Sequence, residues 1–252
     1  MNTDLMEIKN KKDKWNLVNH FKSFKWIDWL GFAFFLMYSV TIVFFIFDII
    51  TELSTNGGYG GWKTIDKFTD QSNILLWFYM LFYLFFRKHS FLKNNQWLIS
   101  NLVYIFFTFI GYNVILVGLG GYGYRGNFFE IFENAWYHII CPISFFVFGF
   151  CFFYFYQNQY PKIFWISLLK QIIYPTIYVI YLITIPFVLN YSDQEGNIYH
   201  YSVYGNFTNV RDNLTIALPV ILGMWLIFFP ASHAIFYFSW FGISKIKKNN
   251  NN

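Results

Sequence analysis

Six stretches of this chain are apolar over the length of a membrane crossing, and the polar residues fall mostly between them. A hydrocarbon core takes about 20 apolar residues per helix. Trp26–Ile50, Phe68–Phe86, Trp97–Leu119, Asn134–Tyr156, Phe164–Leu189 and Leu214–Trp240 meet or approach that length. Apolar residues cover these stretches on every side, as lipid-facing helices permit. The pattern predicts an all-α polytopic membrane protein with a bundle of six transmembrane helices. One domain spans 26–241, between a basic N-terminal segment, 1–25, and a basic, Asn-rich tail, 242–252. Both flanks are expected to be flexible. The first apolar run is far longer than a signal-peptide core and is expected to remain as an anchor.

The second stretch opens on "KFTDQSN", which sets Thr69, Asp70, Gln71, Ser72 and Asn73 at the mouth of an apolar helix. A charge at the bilayer centre costs at least about 2.5 kcal/mol on insertion scales. These groups must therefore stay near water or find partners. Thr69, Ser72 and Asn73 are spaced i, i+3 and i+4, so they share a helix face. The fourth stretch starts at Asn134 and carries His138 one turn in, while the first and third carry Asp48 and Asn113 near their ends. Alternating helix directions bring these four ends to one side. The expected result is a polar pocket that opens there, because intramembrane polar groups face a bundle interior or cavity.

Charge decides which side that is. Lysine and arginine mark cytoplasmic flanks. The N-terminal segment, the second and fourth connections and the tail hold fourteen of them, including Arg87, Lys88, Lys93, Lys162 and Lys170. The other connections hold four: Lys63, Lys67, Arg125 and Arg211. Both termini are thus predicted to be cytoplasmic, and the pocket faces outward from the cell membrane. The net charge of +5 lies beside the bilayer and implies no nucleic-acid partner.

Composition agrees with a membrane chain: 56% hydrophobic and 12% charged, about half the charge of a soluble domain. Cys141 and Cys151 lie about 15 Å apart along one helix and form no disulfide framework. The five histidines, His20, His89, His138, His200 and His233, are scattered, and no HExxH, paired CxxC or GxSxG pattern occurs. No metal or cofactor is expected. The Gly- and Tyr-rich stretches "TNGGYGGWK" and "GLGGYGYRGN" read as outer loops, either of ordinary loop composition or serving as mobile covers over the pocket.

"FTDQSN" and "YHIICP", with His138 ahead of Pro142, resemble a family of uncharacterised six-span bacterial membrane proteins, nearest in its mollicute branch. More distantly, Gly60, Gly61, Trp62 and Lys63 ahead of a threonine, with a later histidine, resemble the androgen-induced and androgen-dependent transmembrane threonine hydrolases. That second resemblance implies a catalytic Thr–His pair that cleaves fatty acid esters of hydroxy fatty acids. Thr69 and His138 would be that pair, with Thr64 as the alternative nucleophile. A threonine hydroxyl needs a base to remove its proton, and an imidazole suits that task. Asp48 or Asp70 would orient the ring, and Ser72, Asn73 or Asn113 would donate to an oxyanion. The chain's partners would be membrane lipids and a lipid ester or small-molecule ligand. Two other classes compete: a small-molecule binding or transport subunit of the vitamin-uptake type, and a non-catalytic scaffold.

Overall fold

A computed structural model describes residues 17–86, 92, 95–119, 126–155, 163–192 and 198–250. Helices dominate it: α1 (Leu17–Lys22), α2 (Trp26–Lys63), α3 (Phe68–Phe86), α4 (Gln96–Ile110), α5 (Phe128–Ala135), α6 (Cys141–Phe155), α7 (Phe164–Val188), α8 (Leu214–Gly223) and α9 (Phe229–Asn250). π-Helical turns extend α4 over Gly111–Leu119 and join α5 to α6 over Trp136–Ile140 and α8 to α9 over Met224–Phe228. Trp26–Ser54, Gln96–Val114, Phe128–Phe155, Phe164–Val188 and Leu214–Ile246 are long and apolar enough to cross a membrane. The all-α polytopic bundle expected from the sequence is therefore the observed architecture. α3 is not among those five, because the polar residues of "TDQSN" fill its first turns. It packs instead between α2 and α4.

Three features depart from the expected boundaries. α2 continues to Lys63, so "TNGGYGGWK" is helical backbone rather than a loop. No proline interrupts the helix there, and it runs about 20 Å beyond Ile50. The basic tail continues α9 to Asn250 rather than leaving the helix near Trp240. Between α7 and α8, the strands β1 (Asn190–Ser192) and β2 (Ile198–His200) pair antiparallel, with Tyr191 opposite Tyr199. Arg87, Lys88, His89, Lys93, Arg125 and Lys162 lie outside the described residues, as does most of "GLGGYGYRGN".

Two of the π-turns stand just ahead of prolines, Pro142 and Pro230. Proline lacks the N–H that would bond the carbonyl four residues back, so that carbonyl needs another donor. Side chains from α4 and its extension supply it twice. Asn113 Nδ2 donates to His138 O at 2.8 Å, four residues before Pro142. The Tyr104 hydroxyl donates to Gln171 O at 2.6 Å, four residues before Pro175. The core is aromatic, with Phe68 at its centre. This residue is fully buried, and its ring lies 5.1–6.0 Å from those of Tyr104, Phe107, Tyr174, Tyr178 and Phe229.

Candidate functional site

Around the start of α3 the helices enclose a cavity of about 650 Å³. α2 contributes Asp48, Glu52 and Lys63; the α2–α3 turn contributes Thr64 and Lys67; α3 contributes Thr69 and Asp70. Glu133, Tyr137 and His138 enter from α5 and its π-turn, Tyr112 from the extension of α4, and Tyr201 and Tyr204 from the segment ahead of α8. Of the residues expected at a pocket, Thr69, His138, Asp48 and Asp70 thus share one cavity wall.

Ser72, Asn73 and Asn113 stand behind that wall. The Ser72 hydroxyl donates to Thr69 O (2.8 Å) and pairs with Thr108 Oγ1 (2.7 Å). Asn73 Nδ2 donates to Thr69 O (2.9 Å) and to Tyr137 O (3.4 Å). Asn113 Nδ2 donates to Phe109 O and His138 O. These donors hold the backbone of Thr69 and His138 in place rather than point into the cavity.

The Thr69 hydroxyl makes no hydrogen bond among the described residues, and none joins it to His138. The imidazole of His138 is 7% exposed and stacks on Tyr112, with ring centroids 3.5 Å apart and planes 6° from parallel. The Thr108 backbone lies near the ring, and Nδ1 has no partner among the described residues. Beside His138 in the chain, the Tyr137 hydroxyl donates to Glu133 Oε1 (3.0 Å).

Asp66 ties the segment ahead of α8 to this site. It is fully buried, and its Oδ2 accepts from the hydroxyls of Tyr201 (2.6 Å) and Tyr181 (3.1 Å). Its carbonyl accepts from the Tyr178 hydroxyl (3.0 Å). Next to it, the Phe68 amide donates to the hydroxyls of Tyr178 and Tyr204, each at 2.9 Å. Such an N–H has no helical partner at a helix start, and tyrosines from two other elements supply one. Burial pushes the Asp66 carboxyl above its usual range, against the hydrogen bonds from Tyr201 and Tyr181 and the nearby Lys67 and Lys63. Burial also raises the Tyr204 phenol.

An apolar groove of about 360 Å³ adjoins the cavity. Phe107, Gly111, Leu182, Phe207, Val220 and Phe228 help to line it. Thr69, Tyr112 and Tyr204 line both spaces. Among the described residues, no group of three His, Cys, Asp or Glu side chains is placed to hold a metal.

Several wall residues escaped the sequence reading. Lys67 flanks "FTDQSN", and Glu133 stands one residue before the expected start of the fourth stretch, so position alone could have nominated them. Tyr201 and Tyr204 carry no such signal, because they reach the site only through folding of the segment between α7 and α8.

Residues 131–246 match the family described as "Protein of unknown function (DUF1600)". The chain is 40% identical over 176 residues to "Uncharacterized protein MG452" of Mycoplasma genitalium, covering 69% of this chain and 66% of that protein. It is 37% identical over 195 residues to the MG452 homolog of Mycoplasma pneumoniae, covering 77% of each. "Uncharacterized protein MG133" of Mycoplasma genitalium is 29% identical over 215 residues. No solved structure matches the chain. With a multi-pass helical bundle and these relatives in hand, the chain belongs to the uncharacterised mycoplasma family that includes MG452 and its homolog.

Proposed function

We propose that this protein resides in the cell membrane, crosses it six times with both termini inside, and binds one amphiphilic ligand from the outer leaflet. A single observation carries the reading: Thr69, Tyr112 and Tyr204 line both the polar cavity and the apolar groove. A ligand lying across these three residues places a polar head among Asp48, Asp70, Lys67 and Glu133 and a chain against Phe107, Leu182 and Phe228. The groove, at about 360 Å³, falls near the lower end of the roughly 300–1,000 Å³ typical of ligand pockets. That size favours one chain over two. The test uses a photoactivatable lysophospholipid with a diazirine in its acyl chain. Crosslinks should fall on the groove residues, and Val220→Trp, which fills the groove, should abolish them without unfolding the protein. Crosslinks that persist in Val220→Trp, or that fall only on the outer lipid-facing surface, would remove the reading.

Ester hydrolysis is the second reading, favoured by the position of Thr69 at the junction. The bond between head and chain would lie beside its unpartnered hydroxyl. In this reading Thr69 Oγ1 attacks the ester carbonyl as His138 Nδ1 takes its proton. The imidazolium returns that proton to the departing alcohol, and water then releases the acyl group. Because no hydrogen bond joins Thr69 to His138, ligand binding must bring the two together, as catalytic contacts often tighten only in the complex. A fluorophosphonate probe should label the purified protein but not Thr69→Ala, and His138→Ala should slow ester turnover by roughly 10²–10⁴-fold. Full turnover by Thr69→Ala would leave binding alone.

A further inference from the structure

Away from the cavity, three side chains on α7 and α9 present polar atoms that the protein does not satisfy. Ser167 is 1% exposed, and Gln171 and His233 are fully buried. Ser167 Oγ, both amide atoms of Gln171 and both ring nitrogens of His233 have no hydrogen-bond partner among the described residues. The three converge. Trp225 Nε1 donates to Thr176 Oγ1 at 2.9 Å, and the Tyr237 ring meets Phe164 at 5.2 Å. Those two contacts set α7 and the helix through α9 antiparallel. On that register His233 falls opposite Leu168, between Ser167 and Gln171. Its ring also lies 5.5 Å from Phe164, one turn before Ser167. From α4, Gln96 Nε2 donates to Ser167 O (3.0 Å) and to Ser100 Oγ (3.3 Å), which adds polar groups on the third side.

We propose that Ser167, Gln171 and His233 form a second polar site that holds water, in the half of the bundle away from the cavity. Polar groups at membrane depth must find hydrogen bonds inside the protein, because hydrocarbon offers none. Buried polar atoms without protein partners are where internal water binds, and such a water needs two to four polar neighbours. The donor and acceptor set suits it. In its neutral form the imidazole offers one donor and one acceptor, the Gln171 amide offers both, and the Ser167 hydroxyl offers both. The aromatic cluster around Phe68 separates this site from the cavity. Tyr204 and Tyr178 meet Phe68 on the cavity side. On the other side Tyr104 packs on Phe68 and bonds Gln171 O. The bundle on this proposal holds two polar regions with the aromatic cluster between them.

The experiment is hydroxyl-radical footprinting of the unmodified, folded protein, in which radiolysis of bound water oxidises the side chains around it and no reagent has to enter. His233 should oxidise well above Phe153, an equally buried residue in apolar surroundings. Oxidation of His233 no higher than that of Phe153 would overturn the proposal.

Discussion

Asp66 is the residue through which the segment ahead of α8 holds the start of α3. Its carboxylate takes two tyrosine hydroxyls while one oxygen, Oδ1, has no partner among the described residues. The resulting upward shift has a definite sign. Folding raises the carboxyl's affinity for a proton, so the folded state is favoured when the group is protonated. That stability is fully present below the unfolded value of about 3.9 and is lost as pH climbs through the raised folded value. The thermal midpoint should therefore fall with rising pH across that interval. Asp66→Asn keeps an acceptor for Tyr201 and carries no charge, so it should lose this part of the slope. Parallel profiles for the two proteins would show that Asp66 does not titrate with folding. Residue-scale logic also explains "YHIICP". Pro142 leaves the His138 carbonyl without its helical donor, and Asn113 supplies one, so the proline and the asparagine are two halves of a single device that fixes the histidine's backbone.

At the scale of elements, α4 and α6 approach closely because of one glycine. A Cβ built on Gly149 would lie 2.8 Å from Leu102 Cδ2 and 3.0 Å from its Cδ1. Both residues are buried, and α4 contacts α6, α3, α7 and α9. Any side chain at Gly149 must push Leu102 into this central helix. Gly149→Val should destabilise the protein by about 1–3 kcal/mol, the usual cost of overpacking, read as a lower midpoint in a thermal melt. Gly149→Val combined with Leu102→Ala should recover part of the loss, since the double change restores volume. A double variant no better than the single would mean that the helices are separated by something other than this contact. Gly242 makes a control, since a Cβ there meets nothing within 4 Å.

For the whole molecule, the expected orientation rests on the fourteen-to-four division of basic residues. Glu52 lines the cavity near the far part of α2, and Lys248 lies near the end of α9. With both termini inside, Glu52→Cys should react with a membrane-impermeant maleimide in intact cells. Lys248→Cys should react only after permeabilisation. The reverse pattern would turn the cavity toward the cytoplasm. The bundle, its cavity and its groove would survive that reversal, because they depend on packing rather than on sidedness.

Much of this was legible in the chain alone, for a physical reason. Runs such as Phe164–Leu189 have enough apolar residues to span hydrocarbon whatever they pack against, so helices and class follow from local composition. "KFTDQSN" announced a polar site for the same reason, since buried charge and amide groups carry a large cost without partners. The helix boundary at Lys63 and the hairpin of Asn190–Ser192 with Ile198–His200 were not legible, as weakly apolar segments take their form from neighbours. Nor were the roles within the site. Ser72 and Asn73 lie on one face of α3 and Asn113 on the extension of α4, yet their donors go to backbone carbonyls. Thr69 and His138 reach one cavity without touching. Tyr201 and Tyr204 join the wall from more than 130 residues downstream of Thr69, and the proposed Ser167–Gln171–His233 site depends on the antiparallel register of α7 and α9. Long-range convergence of this kind depends on how helices pack, and a linear pattern of polar and apolar residues carries no record of it.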